Sequence, residues 1–298
     1  MGVIRIMIKV ELDHVKTATP SEGWRRYYQD QWNDLHKKIA VMIESMGPKN
    51  TFQIVKWIER QSHGQGSNPI AEAGQRFPGG RPMMRDSSFR GSAYIMPHFS
   101  GAGIPETISD LINKFGPFDA VVEIGSGWGR NLFEIFYNSG WPGPYFGGEI
   151  TSSGQDLSAY LTLMADGMQA SFHPYDHENP DISFIGDKQK VFIFSVHSIE
   201  QVKYIPEDFF DRLCAAAPEM IGLHIEPFGF QSKILGKISE IQRDLNKERG
   251  WNLNFFDTLC TSERRKVLDV NCVAEEIFCS EDATNPSSLA MWIKKEFR

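Results

Sequence analysis

Three acidic residues, each closing an apolar run, and one histidine at the end of a fourth run are the side chains of this chain best placed to do chemistry. Glu123 follows residues 118–122, Glu149 closes Tyr145-Phe146-Gly147-Gly148, Asp176 follows residues 170–175, and His197 follows residues 190–196. Carboxylates at the carboxyl ends of neighbouring strands can hold the hydroxyl and amino groups of a nucleotide-like ligand. Imidazole is the usual proton acceptor near neutral pH. After Glu123 comes Ile124-Gly125-Ser126-Gly127-Trp128-Gly129-Arg130. Alternating glycines let a backbone turn sharply and approach a ligand where a Cβ atom would clash. The apolar run before this turn reads as a buried strand. Residues 131–137 after it, with Leu132, Phe133, Ile135 and Phe136, read as a buried helix. Strand, glycine turn and helix together are how an α/β fold builds a nucleotide pocket.

The spacing of the glycines narrows the ligand. A dinucleotide fingerprint requires a third glycine where this chain has Arg130, and no Gly-Lys-Ser/Thr follows as a phosphate-binding P-loop would need. The pattern Glu123-x-Gly125-x-Gly127-x-Gly129 instead resembles motif I of the class I S-adenosylmethionine-dependent methyltransferases. That cofactor carries no phosphate but has an ammonium group, which a carboxylate near a strand end can hold. The resemblance implies that Glu149 meets the ribose hydroxyls and that Asp176 meets the adenine amino group. The segment His197-Ser198-Ile199-Glu200-Gln201-Val202 resembles the turn after strand four of that family, which lies beside the transferable methyl; Gln201 stands where the family has a second histidine. Residues 285–292 are similar to the last strand of bacterial small-molecule and sugar O-methyltransferases.

The resemblance covers residues 104–298 and implies an α/β fold: a mostly parallel, seven-stranded, doubly wound sheet of the class I methyltransferase type, with an N-terminal helical cap and lid formed by residues 1–103. It implies S-adenosylmethionine as cofactor, bound by Tyr94, Glu123, Gly125, Ser126, Gly127, Gly129, Glu149, Asp176 and His197. It also implies methyl transfer to a small molecule, at a hydroxyl of a sugar or natural product. Such a transfer needs a base, and His197 is the first choice, followed by His224 and Glu226 at the end of strand five, then His98. Glu200 reads equally as a base, a metal ligand or a charge at a helix N-terminus. Some O-methyltransferases use Mg2+ to acidify a diol, which requires several converging oxygen ligands; the sequence does not display such a set. Three alternatives stay open: a protein or RNA methyltransferase on the same fold, an NAD-dependent oxidoreductase, and a protein that binds the cofactor without turning it over.

The supporting elements follow from pattern. Residues 23–46 are helical and stop at Gly47-Pro48, and Thr51 is an apt N-cap for a second helix to residue 61. Residues 62–103 lose periodicity and are rich in glycine, proline, serine and arginine. They read as a lid, with Arg76, Arg81, Arg85 and Arg90 available to an anionic acceptor and Tyr94 to the cofactor. Farther on, residues 156–168 and 233–249 read as amphipathic helices, the second with Ile234, Ile238, Ile241 and Leu245 inward and Gly250 as its stop. Residues 220–225 read as strand five, and residues 267–278 and 288–294 as a closing antiparallel pair.

Composition bounds the partners. The 298 residues are 41% hydrophobic, an ordinary globular content, and the net charge of -7 comes without a Lys/Arg run, which argues against nucleic-acid binding. Cys214, Cys260, Cys272 and Cys279 form no Cys-x-x-Cys pair and read as reduced thiols. Residues 3–12 alternate like a short strand, and neither a signal peptide nor a long apolar span is evident, so the expectation is a soluble cytoplasmic protein. The aromatic-rich N-terminal region could mediate a homo-oligomer.

Overall fold

A computed structural model describes residues 20–47, 49–62, 83–89, 92–98, 103–278 and 285–295. In chain order these form α1 (Pro20–Met46), α2 (Thr51–Ser62), β1 (Met83–Phe89), β2 (Ser92–His98), α3 (Ile104–Phe115), β3 (Ala120–Ile124), α4 (Arg130–Ser139), β4 (Tyr145–Glu149), α5 (Ser152–Thr162) and β5 (Ala170–Pro174). There follow β6 (Lys190–Val196), α6 (Phe209–Ala215), β7 (Glu219–Glu226), the single turn α7 (Gly229–Ser232), α8 (Lys237–Arg249), α9 (Phe255–Arg264), β8 (Leu268–Phe278) and β9 (Ser287–Lys294). The expected strand over residues 3–12, Arg76, Arg81, Arg90 and Cys279 lie outside the described residues.

All these strands join one sheet, in the order β2-β1-β8-β9-β7-β6-β3-β4-β5. Strands β3 to β7 run parallel, and β9 and β8 close that side antiparallel. The sheet has nine strands rather than seven because residues 83–98, expected as an irregular lid, fold into the antiparallel hairpin β1–β2. The hairpin extends the β8 edge through Ser88↔Glu275 and Phe89↔Ala274. The physical reason is edge pairing: β8 would otherwise end the sheet with an open row of backbone N–H and C=O groups.

The central strands are buried on both faces, and side-chain alternation sends their residues to two cores. Val121, Phe192, Phe194 and Leu223 meet residues of α2 to α5, such as Ile54, Ile108, Leu132 and Leu157. Val122, Val191, Ile193 and Trp292 meet α6 and α9 through Phe210, Leu213, Phe255 and Leu259. Fully burying a side chain of this size stabilises by about 1.5–3 kcal/mol, so these cores hold the sheet rigidly under the strand ends.

Two local expectations change. The residue that caps α2 is Asn50, whose Oδ1 accepts from Gln53 N at 2.9 Å while Asn50 N donates back to Gln53 Oε1. Thr51 is instead buried and donates to Leu161 O. The helix expected from residue 233 starts at Lys237, leaving Ile234 outside it and exposed, and the buried face of α8 is polar: Ser239, Gln242 and Asn246 face inward. The donors on this face have partners: Ser239 on Glu276, Gln242 Nε2 on Asn285 Oδ1 (3.0 Å) and Pro286 O (2.9 Å), and Asn246 Nδ2 on Gln242 O (2.8 Å).

Candidate cofactor pocket

The glycine turn sits where β3 ends. Gly125 (φ 74°) and Gly127 (φ 55°) both occupy the left-handed region. A Cβ at Gly125 would lie 2.3 Å from Ser198 Cβ and 2.9 Å from His177 Nε2, so the turn and the segment after β6 touch backbone to side chain. Gly129 caps the N-terminus of α4. The turn is stitched to the end of β4: Gly125 N and Ser126 N both donate to Gly148 O, and Gly127 N donates to Glu149 Oε2 at 2.9 Å.

The three strand-end acids differ in environment. Glu123 is fully buried behind the turn, outside the lining of the cleft. Asn131 Nδ2 donates to its Oε1 at 2.6 Å, while Oε2 has no partner among the described residues. Burial pushes its carboxyl up to about 8, against the pull of Asn131. Arg130 pairs with Glu134 at 3.5 Å. Glu149 faces the cleft. Its Oε1 accepts from Thr151 N (2.9 Å) and Thr151 Oγ1 (2.5 Å), and burial outweighs these bonds to leave its pKa raised. Asp176 lines the same cleft beside Tyr175 and His177, its Oδ1 accepting from Glu178 N.

The segment after β6 is held by two carboxylates. Glu226 collects Ser195 Oγ–H (2.7 Å), Ser198 N–H (3.1 Å), Ile199 N–H (3.2 Å) and Glu200 N–H (3.4 Å). It is 2% exposed and absent from the cleft lining, so the expectation that Glu226 meets an acceptor gives way to a different role: it fixes the backbone of the turn. Burial pushes its carboxyl up to about 7, opposed by His197. His224 is likewise corrected. It is 0% exposed, packed among Phe210, Phe255 and Trp292, bonded through Nδ1 to Ser195 Oγ, and its pKa is lowered by burial to about 3. Strand β9 and helix α9 cover the end of β7, which removes both residues from solvent. His197 does line the cleft. Its backbone is left-handed (φ 49°), Nδ1 lies 3.3 Å from Glu200 Oε1, and Nε2 is bonded to Ser287 Oγ.

The opposite wall comes from α1. Trp24, Tyr28 and Trp32, spaced i, i+4, i+8, form a stacked ladder with ring centroids 6.1 and 5.4 Å apart, and all three line the cleft with Arg25. Tyr28 Oη accepts from Gln201 Nε2 (2.9 Å), and Gln29 reaches Ser152 and Ser153 on α5. The aromatic repeat on one helical face was the available signal, but a helix period does not say what the face covers. Among the hairpin residues whose side chains are described, none lines the cleft. Tyr94 and His98 lie on β2, six strand steps from β3, about 29 Å at the usual strand spacing. That separation removes Tyr94 from the cofactor set. Among the described residues, no three His, Cys, Asp or Glu side chains converge as a metal site, and no helix is long and apolar enough to cross a membrane.

No family model and no curated protein matches the chain. The solved structures it resembles include S-adenosylmethionine-dependent methyltransferases. The plantazolicin methyltransferase BpumL, in complex with a monoazolic desmethylPZN analog and SAH, shares 13% identity over 65% of this chain and 82% of that one, with a TM-score of 0.42. Geranyl diphosphate C-methyltransferase from Streptomyces coelicolor A3(2) shares 12% identity over 65% and 78%, TM-score 0.44. The small RNA methyltransferase HEN1 shares 14% over 67% and 26%, TM-score 0.46.

Proposed function

We propose that this cleft binds S-adenosylmethionine and that the protein transfers its methyl group to a small-molecule hydroxyl, as on a sugar or other natural product. The observation that carries this reading is that four residues lining the cleft, Ser126, Tyr175, His177 and Trp32, each hold a buried side-chain polar atom with no partner among the described residues. An unpaired buried polar atom costs about 1–3 kcal/mol, so a ligand rich in hydrogen-bonding groups is what such a lining favours. Glu149 and Asp176 add acceptors for ribose and adenine groups, and Glu123 behind the turn, neutral below about 8 in the ligand-free protein, loses its proton as the ammonium enters. No phosphate-binding pattern accompanies them, which favours this cofactor over a dinucleotide.

When bound, the cofactor supplies an electrophilic methyl on a sulfonium. The residues of the chain then orient and deprotonate. The ladder of α1 excludes water from one side, so in this reading α1 caps the cleft of the catalytic domain. His197 lines the cleft and takes the acceptor's proton at Nε2 once the acceptor hydroxyl displaces Ser287 Oγ from that nitrogen. Incubation with S-adenosylmethionine and a panel of methyl glycosides, read by mass spectrometry, tests the reading. One added methyl per product and matching S-adenosylhomocysteine support it; cofactor turnover only with a peptide or RNA acceptor would reassign the substrate.

A further inference from the structure

The His197 ring is held from two directions by groups that the proposed chemistry leaves unassigned. Glu200 Oε1 lies 3.3 Å from Nδ1, and Ser287 Oγ bonds Nε2. The other Glu200 oxygen, Oε2, accepts from Asn285 Nδ2 at 2.9 Å. Asn285 Oδ1 in turn accepts from Gln242 Nε2 at 3.0 Å, and the same Gln242 amide donates to Pro286 O at 2.9 Å. The chain of bonds therefore runs from α8, through the residues that open β9, to the turn after β6. Its inner members are buried: Gln242 is 0% exposed, Asn285 7% and Glu200 9%. At the other end, the His197 side chain is 24% exposed and faces the cleft.

The backbone shows that this placement is imposed. His197 has φ 49°, a left-handed conformation that is strained for a non-glycine residue and persists only where the surroundings over-determine it. Two carboxylates divide that task. Glu226 grips the backbone N–H groups of the turn, and Glu200 grips the ring.

We propose that Glu200, oriented by Asn285 and Gln242, is the positioning residue for His197, forming a carboxylate–imidazole–hydroxyl relay in which an acceptor hydroxyl replaces Ser287 at Nε2. This rests on the reading of His197 as base. In the relay Glu200 holds the proton on Nδ1, so Nε2 carries the lone pair. The acceptor's O–H proton moves to Nε2 while its oxygen lone pair forms the bond to the methyl carbon, and the carbon–sulfur electron pair stays on sulfur. The imidazolium so formed is balanced by Glu200, then returns its proton to solvent through the open side of the cleft.

The groups that bear on the His197 charge are Glu200 on its own turn, Glu226 on β7 and Tyr28 on α1, which lies beside Glu200; Ser287 on β9 does not titrate in this range. Burial lowers the His197 pKa, but the two carboxylates outweigh it and leave it raised.

The test is histidine-selective NMR of the full chain, with His197→Asn assigning the resonance. In wild type the His197 midpoint should lie above that of a free imidazole. In Glu200→Gln it should fall about tenfold in proton affinity, as expected for losing a carboxylate at this distance. Asn285→Ala should give a smaller fall, and Ser287→Ala should leave the midpoint raised. An unchanged midpoint in both Glu200→Gln and Asn285→Ala overturns the relay. If instead His197→Asn keeps full turnover on a methyl glycoside that the wild type accepts, the base reading fails, and with it the catalytic meaning of the relay, whatever the midpoints show.

Discussion

Replacing Glu123 with glutamine should stabilise the ligand-free protein above neutral pH and weaken its hold on the cofactor. Glu123 is fully buried at the end of β3, with one oxygen held by Asn131 and the other without a partner among the described residues. Burial is the main cause that moves its carboxyl from 4.5 to about 8. Because the folded value is the higher one, the stability this group contributes is fully present below about 4.5 and is lost as the pH rises through about 8. Across that window the loss is roughly 5 kcal/mol, or about 1.4 kcal/mol per pH unit. Glutamine does not titrate, but its amide places an unpaired N–H where Oε2 now stands, at a cost of about 1–3 kcal/mol. The net gain is therefore about 2 kcal/mol near pH 8, or about 3 °C in Tm for a chain of this length, and it falls to zero or below near pH 5. Scanning calorimetry of both proteins at several pH values between these limits reads the effect directly, since all other titrations cancel in the difference. Parallel Tm–pH curves would refute the reasoning. Under the same account, affinity for S-adenosylmethionine falls by roughly 3–10-fold, the scale of losing a partly screened charge contact.

Other sites discriminate function from packing. Gly125→Ala forces its new methyl against Ser198 and should cost at least about tenfold in cofactor affinity. Gly140→Ala, also at positive φ but with nothing within 4 Å, should cost only about 1–2 kcal/mol of stability, with calorimetric binding unchanged. His224→Phe should retain turnover, because the ring is enclosed by aromatic side chains; loss of turnover with an intact Tm would restore it as a catalytic residue. Its pKa of about 3 lies below the ordinary 6.5, so the stability it contributes is present above 6.5 and lost as pH falls. The variant should gain on wild type by about 1.4 kcal/mol per pH unit below pH 6 in thermal unfolding. Trp32→Leu removes an indole N–H from the cleft, so cofactor affinity should fall and the quenching of tryptophan fluorescence on binding should shrink; unchanged values for both would detach α1 from the site.

What could be read from the chain were the features with local causes. The glycine turn is legible because positive φ at Gly125 and Gly127 excludes most side chains. Strands β3, β6 and β7 are legible because burial on both faces leaves an unbroken apolar run. Glu149 and Asp176 were legible at the ends of the shorter runs that form β4 and β5, and both reach the cleft. Features set by tertiary partners were not legible. The aromatic face of α1 shows a helical period but not that it lies over Gly127. The segments Met83–Phe89 and Ser92–His98 become strands because the β8 edge is available to pair with. His224 and Glu226 sit at a strand end where chemistry is usual, yet β9 and α9 bury them. The polar inward face of α8 contradicts the apolar-inside rule only because Glu276, Asn285 and Pro286 O are there to receive it.

The central claim is that the cleft between the glycine turn and α1 holds S-adenosylmethionine. Isothermal titration calorimetry of the full chain with S-adenosylmethionine, S-adenosylhomocysteine and NADH tests it most directly. The account predicts saturable one-to-one binding of the first two ligands, strongly reduced in Gly125→Ala, and no binding of NADH. Absence of heat with either methionine-derived ligand, or binding of NADH in their place, would contradict it.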